Sequence, residues 1–127
     1  MITINKNITN TLVFTLTEKS SLPLPNYLFR FINDSSKVQT LFNMEDLSGY
    51  QRRYNMFDLV ETSGSTSPST GEITLDYGFG TYEVYESTTP TLSISATTGR
   101  ILEEGKTFVN GYPSTFATNN GNNTTYL

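Results

Sequence analysis

Apolar residues in this sequence alternate with polar ones over short runs, and no window of a dozen residues keeps an apolar period of about 3.6 residues. The alternation begins at Ile2 and Ile4, and it resumes over residues 12–16 after a kink at 7–10. Ala, the strongest helix former, occurs at only two positions, whereas Thr, Ser and Asn make up 46 of the 127 residues. Thr suits half-buried strands, and Ser and Asn suit polar turns. The chain is therefore predicted to form strands and little or no helix.

Turn signals recur roughly every eight to twelve residues, which predicts a β-sandwich of about seven to nine short antiparallel strands. Between the strands we expect an extended bend at 22–25, a short helical turn at 44–50, an exposed polar loop at 63–71 and a tight turn at 103–105. The runs that could supply these strands lie at 2–4 and 12–16, which are one broken strand or two, and at 27–32, 38–42, 54–61, 73–75, 81–86, 92–94, 100–102, 106–109 and 124–127.

The segment 75–84 carries the most specific fold signal. It contains a leucine, a glycine-punctuated turn, and Tyr82 two residues before the apolar Val84. This spacing resembles the tyrosine corner of immunoglobulin-like sandwiches, in which a tyrosine hydroxyl bonds to upstream backbone. No crossover helix is available between the strands, which argues against a βαβ fold. We therefore predict an all-β chain whose residues 1–127 form a single immunoglobulin-like β-sandwich.

The core of this sandwich is predicted from the residues expected to face inward, each worth roughly 1.5–3 kcal/mol if fully buried. The chain contains no Cys, so disulfides are excluded and the core must supply the stability. The predicted core residues are Phe14, Leu16, Phe29, Phe31, Leu41, Phe57, Leu59, Leu75, Tyr82, Val84, Ile94 and Val109.

Composition excludes several classes of chemistry. The chain has no His, Cys or Trp, so it cannot build a Ser-His-Asp triad, a Cys-His pair, an imidazole or thiolate zinc site, or a redox dithiol. Its net charge of −4 and pI near 4.6 lack the basic surface that binds phosphate backbones, and Arg52 and Arg53 are its only adjacent basic pair. We expect no nucleic-acid partner.

No apolar run approaches the length of a transmembrane helix, so no membrane partner is expected. Residues 1–14 carry Asn and Thr where a signal peptide has its apolar core. We therefore expect the protein to stay in the compartment where it is made, or to leave it as part of a larger assembly.

Paired carboxylates are the catalytic groups that remain possible in a chain without His and Cys. Asp46 with Asp58, or Glu103 with Glu104, could serve as a glycosidase-type acid and base. Adjacent glutamates point to opposite faces of a strand, however, and Asp46 lies in a turn. Asp34 lies in a short polar turn that lacks the spaced acidic pattern of a calcium loop. We expect no catalytic residue, no cofactor and no metal ion.

Aromatic residues are the second group of candidate functional residues, with sixteen Tyr and Phe in the chain. Five of them are predicted to lie at turns or on outer faces: Tyr50, Tyr54, Tyr77, Phe79 and Tyr85. Exposed aromatic rings can anchor a protein interface or stack on sugar rings, and aromatics in sandwiches also pack cores and strand edges. All three readings remain open from the residues alone.

A series of motifs along the chain is similar to that of one group of proteins. These motifs are MITINKNITNTLVFTLTEKSSL at 1–22, YLFRFINDSS at 27–36, RRYNMFDLVE at 52–61, GFGTYEVYES at 78–87 and LEEGKTFVNG at 102–111. The sequence resembles small virion proteins of crAss-like and related tailed phages that infect Bacteroidetes. Proteins of this kind are immunoglobulin-like β-sandwiches on the outside of the head, as auxiliary capsid (decoration) proteins, or adaptors for head or tail fibres.

The resemblance implies a structural role on the phage head surface after assembly in the host bacterial cytoplasm. The implied partners are the major capsid protein or other virion proteins, including fibre proteins. Contact would involve an N-terminal arm at 1–10 and an Asn- and Thr-rich tail at 112–127. The predicted contact residues are Ile2, Ile4, Tyr50, Tyr54, Tyr77, Phe79, Tyr85 and Tyr126.

Two alternatives stand beside this reading. The first is a fibre adaptor or glycan-binding sandwich that recognises cell-surface sugars through Tyr54, Tyr77 or Phe79. The second is a hydrolase that uses Asp46 and Asp58.

Overall fold

The computed structural model describes residues 1–110 and 122–126 and confirms an all-β chain folded as a small two-sheet sandwich. Short 3-10 turns lie at Thr17–Lys19, Pro68–Thr70 and Ile94–Ala96. None of the helical turns in the described residues is long and apolar enough to cross a membrane. The strands are β1 (Ile2–Asn5), β2 (Thr9–Phe14), β3 (Asn26–Asn33), β4 (Gln39–Asn43), β5 (Asn55–Glu61), β6 (Glu72–Ile73), β7 (Gly78–Ser87), β8 (Ile101–Asn110) and β9 (Asn122–Tyr126).

One sheet has the strand order β1-β8-β7-β3-β4, and the other has the order β6-β5-β2-β9. In immunoglobulin nomenclature, β8, β7, β3 and β4 occupy the places of G, F, C and C′, while β5 and β2 occupy those of E and B. Three pairings, β1 with β8, β2 with β9 and β5 with β6, are parallel. The prediction of purely antiparallel strands was therefore wrong at the sheet edges.

Aromatic rings fill the space between the two sheets. The ring of Phe29 on β3 lies 5.0 Å from that of Phe57 on β5 and 5.6 Å from that of Phe42 on β4, measured between centroids. Phe14 on β2 lies 5.9 Å from both Phe29 and Phe57. Phe29 and Phe42 are stacked and the other pairs are tilted or edge-to-face, and such packing at these distances is favourable beyond the area that it buries. The cluster therefore joins the inner faces of the two sheets.

Ten of the twelve predicted core residues are buried, and Leu41 and Ile94 are not. Leu41 and Phe42 are both apolar, so alternation alone did not decide which one faces inward. Pairing of Phe42 with Phe29 turns Phe42 into the core and leaves Leu41 on the outer face. Ile94 lies in a 3-10 turn, so the strand predicted at 92–94 is absent from this segment.

Strand β8 is longer than predicted. Residues 101–110 form one continuous strand, so 103–105 is not a tight turn between two strands. An irregularity in its pairing with β7 lies between Val84 and Tyr85. The helical turn expected at 44–50 is also absent, and this segment is an irregular connection.

Tyr82 does not form a tyrosine corner. Its hydroxyl donates a hydrogen bond of 2.9 Å to Oε2 of Glu103 on the neighbouring strand and not to upstream backbone. Its ring lies over Gly105, with which it pairs across β7 and β8. Burial and the contact with Glu103 raise the pKa of Tyr82 above its ordinary value, so the hydroxyl remains a donor. Tyr82 thus ties β7 to β8.

Substitution of Gly105 by Ala should weaken this contact. A Cβ at position 105 would lie 2.8 Å from Cε1 of Tyr82, and the ring is buried and held by Glu103. We expect the free energy of unfolding, measured by urea denaturation, to fall by about 1–3 kcal/mol. Gly49→Ala is the control, because nothing lies within 4 Å of a Cβ there. Equal stability of the two variants would contradict the assignment.

Residues 1–10 are not a free arm, which corrects the prediction. Strand β1 pairs in parallel with β8, and Ile2 and Ile4 are fully buried. The predicted kink is present: Asn7 has a φ of 62°, and the chain turns there from β1 into β2. The buried amide of Asn10 holds this turn by accepting from Asn5 N at 2.9 Å and donating to Asn5 O at 3.0 Å.

Candidate functional site

Three long connections meet at one end of the sandwich. They are 15–25 between β2 and β3, 44–54 between β4 and β5, and 88–100 between β7 and β8. This loop end corresponds to the end at which immunoglobulin variable domains carry their antigen-binding loops. The opposite end, termed the turn end, carries the connections at 6–8, 34–38 and 74–77. Rigid strands thus present two separate surfaces.

An open groove of about 650 Å³ lies at the loop end, and all three connections contribute to it. One side is lined by prolines and by Leu24, whose side chain is 86% exposed. Pro25 restricts the backbone of Leu24 to extended conformations and Pro23 has a fixed φ of its own, so the exposed leucine lies in a stiff segment. Glu45, Gln51 and Arg52 of the second connection also line the groove.

A hydrogen-bond network fixes the floor of the groove. Buried Asn55 accepts from the backbone N–H of Leu16 at 2.6 Å and donates to Asp46 Oδ2 at 2.7 Å. The other oxygen of Asp46 accepts from the N–H groups of Ser48 and Met56, at 3.0 and 3.1 Å. The first two connections are therefore held together, and both oxygens of Asp46 are engaged in structural bonds.

Glu86, at the end of β7, fastens the first connection to the third. Its fully buried carboxylate accepts from Ser20 Oγ at 2.6 Å and from the Ser21 N–H at 3.0 Å. Its backbone carbonyl accepts from the Thr98 N–H at 3.0 Å. Burial raises the pKa of Glu86, but the hydrogen bonds from Ser20 and Ser21 and the charge of Arg100 together outweigh it. The pKa therefore lies below its ordinary value.

This lowered pKa makes the contribution of Glu86 to stability dependent on pH. An ionised carboxyl with a lowered pKa stabilises the folded state above its unfolded pKa of 4.5, and the stabilisation is lost as the pH falls through the folded value. Glu86→Gln should therefore be less stable than the wild type at neutral pH, and the difference should shrink as the pH falls below 4.5. Urea denaturation at several pH values measures this. Glu104→Gln, at an exposed position, is the control, and a pH-independent difference for Glu86→Gln would contradict the assignment.

Exposed apolar side chains cluster at the turn end. Tyr77 and Phe79 are 72% and 58% exposed, and the ring centroids of Phe79 and Phe108 lie 4.8 Å apart across β7 and β8. Val38, which is 52% exposed, lines the same depression as Phe79. These four residues, Val38, Tyr77, Phe79 and Phe108, are termed the aromatic patch.

Hydrogen bonds hold the aromatic patch against the neighbouring turn. Asp34 N donates to the carbonyl of Phe79 at 3.0 Å, and the side-chain amide of Asn33 donates to the carbonyl of Tyr77 at 3.3 Å. An exposed ion pair of 3.4 Å between Asp34 and Lys106 lies at its margin. The patch is thus a positioned apolar surface with a charged rim.

The predicted contact residues are divided between several environments. Tyr77 and Phe79 lie together at the turn end, whereas Tyr50 is 66% exposed at the loop end. Tyr54 is half-buried where the second connection enters β5. Tyr126 lies in β9, opposite Val13 of β2, and its side chain is outside the described residues. The sequence thus predicted two of the four patch residues, Tyr77 and Phe79, but did not show that two surfaces exist.

Three predicted contact residues are buried, which corrects the prediction for them. Ile2 and Ile4 belong to the core. Tyr85 is buried on the outer face of its sheet, where its hydroxyl donates to Glu83 Oε1 at 3.0 Å. The guanidinium of Arg30 lies over this ring, 5.7 Å from its centroid, and also donates to the Tyr85 hydroxyl at 3.2 Å.

Part of the predicted contact tail is also built into the fold. Residues 122–126 form edge strand β9, as predicted for the end of the chain, whereas 111–121 and 127 lie outside the described residues. The hydroxyl of Thr125 donates to the carbonyl of Thr3 at 3.2 Å and so joins the two sheets at this side.

The remaining candidate carboxylates make structural contacts. Asp58 accepts from Thr11 Oγ1 at 2.8 Å, and Glu103 binds Lys19 Nζ at 2.7 Å in addition to Tyr82. Glu104 is exposed. Over residues 1–110 and 122–126, no group of three or more acidic side chains is placed to hold a metal ion.

Comparison of the chain with protein-family models, with curated proteins and with solved structures gave no match. The groove and the aromatic patch are accordingly the features from which a function is inferred. The sequence did not predict the groove, because its lining comes from three connections that are distant along the chain. Its one signal in the sequence is a leucine between two prolines at 23–25.

Proposed function

We propose that this chain is a structural protein of a tailed-phage virion, bound to the outer surface of the head as an auxiliary capsid protein. The motifs at 1–22, 27–36, 52–61, 78–87 and 102–111 support the virion assignment through their resemblance to such proteins. The aromatic patch is the observation that supports attachment of the protein to the capsid. The major capsid protein is the partner that the patch contacts.

The composition of the aromatic patch suits a protein interface. Large aromatic side chains are enriched at the centres of interfaces, where each buries a large apolar area. Tyr77 and Phe79 expose most of their surface, although Phe79 already packs against Phe108. Exposed apolar clusters of this kind on a folded domain mark interaction sites. Burial against a capsid subunit would remove these rings from water.

The rigidity of the patch lowers the cost of docking. Phe79 and Phe108 extend from paired strands, and the hydrogen bonds of Asn33 and Asp34 fix the backbone of 77–79. Little conformational entropy is therefore lost when the surface is covered. Docking through the turn end leaves the loop end directed away from the head.

The proposal is tested by incorporation into particles. Phage genomes that encode wild-type protein, a Tyr77→Asp/Phe79→Asp double variant, or Tyr50→Asp as the control at the opposite end are propagated, and purified virions are analysed by quantitative mass spectrometry. We expect wild-type protein and Tyr50→Asp in the virions and at least tenfold less of the double variant, which should remain folded in the lysate. Wild-type virions that lack the protein, or full incorporation of the double variant, would contradict the proposal.

A further inference from the structure

At the loop end, we propose that the groove binds a neutral oligosaccharide. The proposal goes beyond the virion role and uses none of the residues of the aromatic patch. It rests on the polar and apolar chemistry of the groove, on its charge and on its preformed walls.

Three lining side chains are available to a ligand. The carboxylate of Glu45, the amide of Gln51 and the guanidinium of Arg52 have no hydrogen-bond partner within the part of the chain that the structure describes. Together they offer acceptors, a mixed donor and acceptor group, and a fork of donors. Each sugar hydroxyl both donates and accepts, so neighbouring hydroxyls match these planar groups.

Apolar surfaces lie beside these polar groups. Leu24 and its two flanking prolines form one side of the groove, and Pro90 adds to it from the third connection. Tyr50 lies on an adjoining depression of about 500 Å³, which shares Gln51 and Arg52 with the groove. A tyrosine ring that is 66% exposed beside planar polar side chains can stack on the C–H face of a sugar ring.

The charge of the groove favours a neutral ligand. Glu45 and Asp46 carry one negative charge each and Arg52 carries one positive charge, so the groove lining has a net charge of −1, and Arg53 of the adjoining depression brings the combined lining to zero. The whole chain is also acidic, at −4, which disfavours uronic-acid polymers and nucleic acids. The free polar groups are side chains, whereas an extended peptide is usually bound along an exposed strand edge.

The groove is of suitable size and is already formed. Its volume of about 650 Å³ lies in the range of small-molecule sites, which span about 300–1,000 Å³. Asn55 and Asp46 fix its floor, and Glu86 fastens the connections around it. An oligosaccharide would therefore bind without prior ordering of the loops.

Binding can be tested on the isolated chain. The protein is applied to an array that holds both neutral and uronic-acid-containing bacterial oligosaccharides, and the strongest neutral ligand is titrated by calorimetry. We expect binding to neutral oligosaccharides, with Tyr50→Ala and Gln51→Ala each raising Kd about tenfold or more. Both side chains are exposed, so thermal unfolding should be unchanged. Tyr77→Ala, at the turn end, is the matched control and should leave Kd unchanged.

Several outcomes would overturn the proposal: no neutral ligand on the array, binding to acidic oligosaccharides alone, or a Kd that responds to Tyr77→Ala and not to Tyr50→Ala. A chain that dimerises in sedimentation, and becomes monomeric on Leu24→Asp, would also overturn it, since a second copy would then occupy the groove. The capsid-docking test uses the other end of the molecule, so the two proposals can fail separately.

Discussion

Replacement of Glu61 by Ala should lower the free energy of unfolding by about 3–5 kcal/mol. The Glu61 carboxylate is fully buried and binds Lys6 Nζ at 3.2 Å. It also accepts from the backbone N–H groups of Asn7 and Leu75, both at 2.9 Å. Alanine would leave a largely buried ammonium without its counter-charge and two backbone donors without acceptors. Urea denaturation at neutral pH measures the loss.

Two variants accompany this measurement. Glu72→Ala removes an exposed carboxylate from the neighbouring strand and should change the free energy of unfolding by less than about 0.5 kcal/mol. Glu61→Gln keeps an acceptor but removes the charge, so an intermediate loss is expected. If Glu61→Ala cost no more than Glu72→Ala, the contacts assigned to Glu61 would be wrong.

Phe29→Ala should cost about 3–5 kcal/mol by leaving a cavity in the aromatic cluster. Phe29 contacts Phe42 within its own sheet and Phe14 and Phe57 of the other sheet. Its loss therefore removes packing that holds the two sheets together, and the neighbouring rings can close the space only in part. Equilibrium denaturation should show a lower midpoint.

Phe79→Ala is the matched control, because it removes the same side chain from a position that is 58% exposed. A loss below about 1 kcal/mol is expected, from the contact with Phe108 alone. A loss for Phe79→Ala that matches the loss for Phe29→Ala would contradict both the position of the core and the exposure of the patch.

The strands and most of the core could be predicted from the sequence, because alternation is a local property of the chain. Leu41 and Phe42 show where it fails: two adjacent apolar residues leave the inward face undecided until β4 pairs with β3. Gly105 shows a second failure. It resembled a turn residue, but its role is to make room for the Tyr82 ring across the strand pair.

The buried carboxylates left a signal that alternation could have revealed. Glu61 lies two residues after Leu59 and four after Phe57, so it is in phase with these core residues along its strand. Glu86 lies in the same way two residues after Val84 and four after Tyr82. A carboxylate in phase with inward residues at a strand end is positioned to accept hydrogen bonds from the connections that meet there. The groove left no comparable signal, because sequence patterns do not show which connections meet in space.

The two proposals assign separate roles to the two ends of the sandwich. The turn end carries a held apolar patch suited to a protein partner, and the loop end carries a groove with free polar side chains. The long strands β3, β7 and β8 each run from one end to the other, so the two surfaces lie at opposite ends of the sandwich. Attachment at one end therefore leaves the other accessible.

A cryo-electron microscopy map of the phage head tests the central claim most directly. We predict density for this sandwich on the outer surface of the capsid, with Tyr77 and Phe79 against the major capsid protein and the groove directed outward. Heads without this density, density at a fibre alone, or a bound sandwich whose aromatic patch faces solvent would contradict the account.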